Sequence, residues 1–412
     1  MNTIYFDNIL KLKEYATNND ISNIIVNFIN LTSDDIVNNI NIFKKIQKLD
    51  CSRTQITEIP KELTNLQELY CSGSSITKIP KELINLTRLY CSNTQVTEIP
   101  KELINLTILY CSYIDITKIP KELINLKYLY CYDTKITKIP KELINLQELY
   151  CSGSRITEIP KELASLQELD CSSTQITEIP KELINLTRLD CSSTQITELP
   201  KELINLQELY CYDSKITEIP KELINLQYLN CSRILIQDIP KEFINLRTLH
   251  CSWTSINEIP ISLVNLQFLD CSGSKITEVP KELINLQKLF CCETSTKEIP
   301  KELVNLNTLY CSRTQIKEIP KELVNLRTLD CSWTSIKEIP KELSKLQSLC
   351  CRDTKIKQIP VNIDLLNNLI SNFITLSVHK ANVNNYKNEI KDIITNGNVL
   401  NDDVNNLLCS YI

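Results

Sequence analysis

The sequence is poor in residue types that catalytic and cofactor-binding sites require. Its 412 residues include only four glycines and two histidines, His250 and His379. Four glycines are too few for a Gly-rich loop that cradles phosphate groups. Neither histidine belongs to a constellation of catalytic or metal-ligating side chains. We therefore expect a protein that is not an enzyme, with no catalytic residue, no metal site and no cofactor.

The sequence also lacks an excess of positive charge and a long apolar run. Its net charge is −5, which is unlike the charge balance of a nucleic-acid-binding protein. The apolar runs fall well short of the roughly 20 residues that cross a membrane. The first residues, 1–15, do not combine a basic start with an unbroken apolar stretch, so no secretory signal is expected. These features predict no nucleic-acid partner and no membrane segment.

Proline is absent except at one position of an internal repeat. The 16 prolines recur every 20 residues from Pro60 to Pro360, and a cysteine stands nine residues before each of them. One repeat, Cys171–Asp190, reads CSSTQITEIPKELINLTRLD. A period this regular indicates a solenoid, in which each repeat packs only against its neighbours.

The apolar side chains within a repeat predict a short strand followed by a short helical segment. Leu169 and Cys171 are two residues apart, so both side chains lie on one face of a strand. Pro180 lacks an N–H group and ends the strand ladder, and the Lys-Glu-Leu sequence after it suits one turn of α- or 3₁₀-helix. One coil buries too little apolar surface to offset its lost chain entropy, so the coils must stack.

This pattern resembles the leucine-rich repeat family pattern L-x-x-L-x-L-x-x-N/C-x-L, with cysteine at the third apolar position. The resemblance covers about residues 46–371 and implies an α/β fold. In that fold a solenoid, horseshoe or arc has parallel β-strands on its concave face and short helical or 3₁₀ turns on its convex side. Where the family has asparagine, most repeats here have threonine or serine, as at Thr174, and two have Ile114 and Ile234. A hydroxyl can bond the neighbouring backbone but reaches less far than an amide, which leaves the repeat subtype and the curvature open.

Helical caps are predicted at both ends of the array. We divide the chain into an N-terminal helical cap (1–45), the repeat array of about 16 units (46–371) and a C-terminal helical cap (372–412). In the N-terminal cap, Asp20 and Ser33 are candidate helix N-caps. The apolar residues at helical spacing after Asp20 are Ile21, Ile24, Ile25, Phe28 and Ile29.

The cysteines are predicted to be structural thiols. Of the 19 cysteines, 16 occupy one inward position of the repeat, while Cys292, Cys350 and Cys409 do not. In-register neighbours point the same way, which suits disulfide geometry poorly, and a line of thiols lacks the tetrahedral convergence of a metal site. A column of buried thiols acts as a series of small apolar side chains. It favours a reducing compartment, so we expect a cytoplasmic location.

The residue before each cysteine is expected to face the concave surface. Tyrosine supplies a large amphipathic contact area at low entropy cost, and the third position of the repeat adds tryptophan and arginine, which are typical of binding hot spots. Alternatively, the tyrosines only stack on one another along the sheet. The candidate partner-binding residues are Tyr70, Tyr90, Tyr110, Tyr130, Tyr150, Asp170, Asp190, Tyr210, Trp253, Arg313 and Trp333.

These observations predict a monomeric, non-enzymatic scaffold that binds a protein partner on its concave surface. An alternative follows from a similarity in architecture and length to F-box proteins with leucine-rich repeats. Residues 1–45 would then dock onto a ubiquitin ligase and the array would select substrates, although the Leu-Pro opening typical of the F-box motif is absent. The high Ile and Asn content and near-identical repeats resemble arrays encoded by amoebal hosts and their large DNA viruses, which suggests host–pathogen interaction.

Overall fold

The computed structural model describes residues 3–6, 9–21, 25–28 and 31–356. The chain divides into two compact units, residues 1–215 and 216–412, here called the N-terminal and C-terminal units. The predicted C-terminal helical cap lies outside the described residues. No helix in the described ranges is long and apolar enough to span a membrane.

The N-terminal unit combines a parallel sheet with three short helices near its start. The helices are α1 (Ile9–Asn18), α2 (Ser33–Asn38) and α3 (Ile40–Phe43). The strands are β1 (Thr3–Phe6), β2 (Ile25–Phe28), β3 (Lys48–Asp50), β4 (Glu68–Tyr70), β5 (Arg88–Tyr90), β6 (Ile108–Tyr110), β7 (Tyr128–Tyr130), β8 (Glu148–Tyr150), β9 (Glu168–Asp170), β10 (Arg188–Asp190) and β11 (Glu208–Tyr210).

The C-terminal unit continues the same repeat. Its described part consists of coils that each contribute one three-residue strand. These strands are β12 (Tyr228–Asn230), β13 (Thr248–His250), β14 (Phe268–Asp270), β15 (Lys288–Phe290), β16 (Thr308–Tyr310), β17 (Thr328–Asp330) and β18 (Ser348–Cys350).

Within each unit, consecutive repeat strands pair in parallel and in register. Leu69 pairs with Leu89, and Leu249 pairs with Leu269, so each residue lies beside its counterpart 20 positions along the chain. The middle residue of every repeat strand is buried and the last is half-exposed. The predicted parallel-strand solenoid is therefore confirmed.

The start of the N-terminal unit differs from the predicted helical cap. Ile25–Phe28 forms β2, which pairs with β1 on one side and with β3 on the other, so the prediction of a helix there was wrong. Pairing with β2 satisfies the strand edge that the first repeat would otherwise expose. The N-cap of helix α2 is Thr32, one residue before the predicted Ser33, because Thr32 and Asp35 form a reciprocal capping box.

The interior of each coil is apolar throughout. In the coil that includes β9, Leu163, Leu166, Leu169, Cys171 and Ile176 are all at most 1% exposed. Two of these residues belong to the strand region and the others to the turns that close the coil. Stacking buries this set against the matching residues of the coils on either side, as expected for a solenoid.

The cysteines form one buried column in each unit. All 16 cysteines of the column are buried thiols, whereas Cys292 and Cys350 are partly exposed. Several column thiols donate to the carbonyl before the next cysteine, as in Cys71 Sγ to Tyr90 O at 3.3 Å. Burial raises the pKa of the Cys91 thiol to about 12. These thiols therefore serve as apolar packing groups with a weak donor.

A hydroxyl closes the turn after most of the column cysteines, in place of the family's asparagine. Thr54 Oγ1 donates to Cys51 O at 2.7 Å, and Ser154 Oγ donates to Cys151 O at 2.6 Å. At Ile114 the position is filled by a buried apolar side chain instead. The short reach of a hydroxyl is sufficient because its acceptor is only three residues away.

The segment after each proline consists of turns and not of a helix. Leu63 N–H donates to Pro60 O at 3.2 Å, and Leu66 N–H donates to Leu63 O at 3.1 Å. These are two successive i-to-i+3 turns, and the chain then enters the next strand. These i-to-i+3 bonds are of the predicted 3₁₀ type, and the α-helical alternative does not form because so short a segment cannot offset the cost of nucleating a helix.

Asparagine side chains connect neighbouring coils on the side of these turns. Asn105 Nδ2 donates to Ile84 O at 2.9 Å, and Asn125 Nδ2 donates to Ile104 O at 2.9 Å. The amide therefore bonds the preceding coil. This column complements the strand ladder, because it links the coils at a second point of their circumference.

Replacement of Asn125 by alanine tests this inter-coil bond. We expect Asn125→Ala to lower the unfolding free energy by about 0.5–1.5 kcal/mol, the usual net value of one hydrogen bond. Urea denaturation followed by circular dichroism measures the change. Ser165→Ala, at the equivalent position of another repeat, is the matched control and should be nearly neutral; equal losses in both variants would contradict the assignment.

Thiol labelling tests the burial of the cysteine column. Because the thiolate is the reactive species and burial opposes its formation, column cysteines should resist iodoacetamide in the native protein at pH 7.5. Cys292 and Cys350, which are partly exposed, should be labelled first, as measured by peptide mass spectrometry. Labelling in guanidinium chloride provides the fully accessible reference. Native labelling of Cys171 at the rate of Cys292 would show that the column is not buried.

Candidate functional site

A column of stacked tyrosines lies along the strand face of the N-terminal unit. The last residues of β4 to β8 are all tyrosines, and in-register pairing places each ring beside the next. Ring centroids are 4.0–4.8 Å apart with interplanar angles of 7–16°. The residues of this tyrosine column are Tyr70, Tyr90, Tyr110, Tyr130 and Tyr150.

Glutamates from the first position of the strands accept hydrogen bonds from the phenols. Tyr70 Oη donates to Glu68 Oε2 at 2.7 Å. Tyr130 Oη donates to Glu148, and Tyr150 Oη donates to a glutamate of β9. Burial raises the pKa of Tyr130 and Tyr150, and the bonds to the glutamates add to this rise. The phenols are therefore neutral donors at physiological pH.

This geometry determines which parts of the tyrosine column can contact another molecule. The faces of Tyr90, Tyr110 and Tyr130 are covered by neighbouring rings. Their edges remain partly exposed, together with Glu148 and the acceptor glutamate of β9, whereas Glu68 is buried. The stacking interpretation thus describes the rings correctly, and a partner would meet ring edges and carboxylates.

Two aspartates replace tyrosine in the next two coils. Asp170 and Asp190 are directly paired across β9 and β10. Each accepts the backbone N–H of the serine two residues later, at 3.0 Å. The half-exposed strand face therefore changes from aromatic to acidic within one strand spacing of about 4.8 Å.

Tyr210 resumes the column at β11 and is held by an ion pair. Arg188 lies over its ring, with Cζ 4.5 Å from the ring centroid. Arg188 Nη1 also contacts Glu208 Oε2 at 2.5 Å, and Tyr210 Oη donates weakly to Glu208 at 3.4 Å. The cation–π contact and the ion pair fix the arginine beside the ring.

The predicted tryptophan and arginine residues occupy a left-handed backbone position. The third residue of every described repeat has a φ between 47° and 71°, yet only three of these residues are glycines. Trp253 and Trp333 adopt this conformation with side chains that are 54% and 43% exposed. A bulky residue with positive φ is uncommon and carries backbone strain.

In the C-terminal unit the left-handed residues contact one another. Arg313 Cζ lies 4.7 Å from the Trp333 ring centroid, and Arg352 Cζ lies 5.3 Å from it. Arg313 Nε is also 3.9 Å from Glu293 Oε1. The predicted residues Arg313 and Trp333 therefore form one exposed cluster, whereas Trp253 packs over Gly273.

Sequence reasoning missed the contribution of the first strand position. That position supplies the glutamates that accept hydrogen bonds from the tyrosines. It also supplies Arg188, which covers the ring of Tyr210. In the C-terminal unit it supplies Phe268, which contacts His250 at 4.6 Å and Phe290 at 5.1 Å between ring centroids. The sequence contained the signal for this contribution, because residues two apart on a strand share a face. No group of three or more potential metal ligands occurs in the described part of the chain.

Comparison with solved structures identifies relatives of the same architecture. The functional domain of InlJ from Listeria monocytogenes, which includes a cysteine ladder, is 28% identical with a TM-score of 0.69, covering 74% of this chain and 71% of that one. A leucine-rich repeat protein of Leptospira interrogans is 26% identical with a TM-score of 0.66, covering 84% and 99%. The plant peptide hormone receptor RGFR1 in complex with RGF2 is 25% identical with a TM-score of 0.64, covering 82% of this chain and 62% of the receptor.

Sequence comparison matches a smaller part of the chain than the structural comparison does. No curated protein sequence matches this chain significantly. The family model described as Leucine Rich Repeat matches residues 145–166 and 165–186. These two segments include β8 to β9 and the turns between them. With the 20-residue period and the parallel-strand coils described above, they show that the chain is a leucine-rich repeat protein.

Proposed function

We propose that this protein is a non-enzymatic scaffold that binds a protein partner through its strand face. The observation that carries the proposal is the tyrosine column, an unbroken aromatic and carboxylate-bearing surface on short, rigidly paired strands. Rigid aromatic residues bind partners with little loss of conformational entropy. The proposed contact residues in the N-terminal unit are Tyr70, Tyr90, Tyr110, Tyr130, Tyr150, Asp170, Asp190 and Tyr210.

The C-terminal unit supplies a second proposed contact region. Trp253, Arg313 and Trp333 are exposed side chains held at a strained backbone position. Strain of this kind is often found at functional sites. The peptide-bound plant receptor among the similar structures is consistent with a binding role for the fold, and its ligand is a property of that receptor.

We also propose a monomer in a reducing, cytoplasmic environment with a role in host–pathogen interaction. The buried thiol column supports the reducing environment. Similar architectures in Listeria and Leptospira proteins are compatible with the host–pathogen role. The ubiquitin-ligase alternative has no support in the described residues, where β1 and β2 join the sheet of the repeats.

Truncation of three tyrosines tests the proposed function. We expect the variant Tyr90→Ala, Tyr110→Ala, Tyr130→Ala to lose the partner that the wild-type chain captures from its native cell, because it removes the central contact area. Quantitative mass spectrometry of affinity-purified complexes measures the loss. Far-ultraviolet circular dichroism verifies that the coils remain folded.

The same three coils supply a matched control on another surface. Ile104, Ile124 and Ile144 are 49–53% exposed in the turns after the prolines. Their triple replacement by alanine should leave capture unchanged. Loss of the partner from the isoleucine variant with retention by the tyrosine variant would place the binding surface on the turns and refute the proposal.

A further inference from the structure

The phenol of Tyr130 points its proton at a carboxylate that no cation engages. Its acceptor is Glu148, on the neighbouring strand β8, and within the described residues this glutamate forms no ion pair. Burial and the bond to Glu148 raise the pKa of Tyr130, so the phenol keeps its proton at neutral pH. A neutral phenol that loses an electron becomes a strong acid, and a base in hydrogen-bond contact can take its proton at once.

The carboxylates at the two ends of the tyrosine column lie beside cations. Glu68, which accepts from Tyr70, is buried and paired with Lys48 Nζ at 3.0 Å. Burial acts to raise the pKa of Glu68, but the hydrogen bonds from Tyr70 and Lys48 outweigh it and the pKa is lowered. Glu168, the acceptor in β9, lies directly opposite Arg188 in the strand register. Both are therefore less available to a proton than the acceptor in β8.

The ring of Tyr130 also has the closest stacking contact of the column. Its centroid lies 4.0 Å from that of Tyr110 at an interplanar angle of 7°, and 4.8 Å from that of Tyr150 at 8°. An electron-deficient ring is stabilised by the electron-rich faces of its neighbours, as a cation is over an aromatic face. The π systems in contact can therefore share the loss of one electron.

Two nearby tyrosines lack the carboxylate and serve as internal references. Tyr128, on the same strand as Tyr130 and equally half-exposed, donates to the neutral amide of Gln147 at 3.2 Å. An amide oxygen accepts a hydrogen bond but is a much weaker base than a carboxylate. Tyr113 is 55% exposed, and its phenol donates to no carboxylate among the described residues. Exposure alone would favour oxidation of Tyr113.

The buried thiols do not compete for an oxidant that reaches the strand face. Cysteine oxidation follows thiolate character and exposure. Cys131, the residue after Tyr130, is fully buried, and burial raises the pKa of its thiol to about 12. The oxidisable group presented at this point of the surface is therefore the phenol.

We propose that Tyr130 and Glu148 form a redox site, at which an inorganic oxygen-centred radical oxidises the phenol by one electron. The electron passes to the radical, which becomes its anion, while the O–H bond breaks and the proton passes to Glu148. The product is a neutral phenoxyl radical shared with the stacked rings of Tyr110 and Tyr150, and Glu148 then releases the proton to water. This activity goes beyond the proposed scaffold function and belongs to the chain whose strand face is free of a partner.

Nitration of the full chain in the presence of carbonate radicals tests the proposal. Peroxynitrite in bicarbonate buffer supplies the carbonate radical, which takes the electron and becomes carbonate. It also supplies nitrogen dioxide, which forms a C–N bond with the phenoxyl ring, and the displaced ring hydrogen moves to the phenol oxygen. Accessible thiols are alkylated beforehand, and fragment-ion mass spectrometry measures nitration at each tyrosine.

The expected result is set by the proton acceptor and not by exposure. Nitration summed over Tyr110, Tyr130 and Tyr150 should exceed nitration of Tyr128 about tenfold or more, because a positioned base accelerates proton transfer by at least this factor. It should also exceed nitration of Tyr113. Greater nitration of Tyr113, or equal nitration of Tyr128 and the three stacked tyrosines, would overturn the proposal.

Two glutamine variants separate the base from the hydrogen bond. Glu148→Gln keeps the acceptor oxygen and the shape of the side chain but removes the base, so the summed nitration should fall about tenfold or more. Its melting temperature and the nitration of Tyr113 should match wild type. Glu142→Gln, at an exposed glutamate in the turns of the same coil, is the matched control and should leave nitration unchanged.

Equal nitration in the two variants would refute the role of Glu148. The comparison of Tyr130 with Tyr128 is made in the wild-type chain, so it decides the proposal even where a variant fails to fold. Glu148→Gln retains every tyrosine of the column, so capture of the protein partner by this variant is measured separately. Normal capture with lost nitration supports the redox site, and normal nitration with lost capture refutes it.

Discussion

In-register stacking of identical coils is the constraint on which the rest of this structure depends. Each repeat strand has only three residues, far too few to be stable alone, and each coil leaves both of its apolar faces open until a neighbour covers them. Within each unit, stacking pairs each strand residue with its counterpart in the next coil, as Leu69 pairs with Leu89. The strand ladder, the thiol column and the asparagine column are three consequences of this one translation.

This constraint explains why the interior could be predicted and the ends could not. The alternation of Leu169 and Cys171 has one interpretation because it recurs in phase in every repeat. Ile25–Phe28 has no such repetition, and its apolar residues fit both a helix and a strand by spacing. Its strand conformation results from pairing with β3, a contact more than 20 residues away along the chain. Local patterns do not contain that information.

The candidate site shows a similar division between backbone and side chains. Which residues face outward follows from strand periodicity, so the positions of Tyr130 and Asp170 were predictable. The bond from Tyr130 to Glu148 depends on side-chain conformations across two strands, which one sequence does not specify. The left-handed third position was signalled by Gly73, Gly153 and Gly273, and more weakly by Asn93 and Asp133. At Trp253 and Trp333, stacking imposes this conformation on residues that do not favour it.

Because stacking fixes the backbone of every coil, chemical differences between repeats are confined to the columns of outward-facing residues. A column of identical tyrosines is compatible with stability, since each ring stacks on the next. The pair Asp170 and Asp190 opposes stability instead, because repetition places equal charges side by side. This substitution, which the stacking principle penalises, lies between the aromatic rings of Tyr150 and Tyr210 on the strand face. In a protein built by repetition, a costly departure from the repeat is therefore a stronger indication of function than the repeat itself.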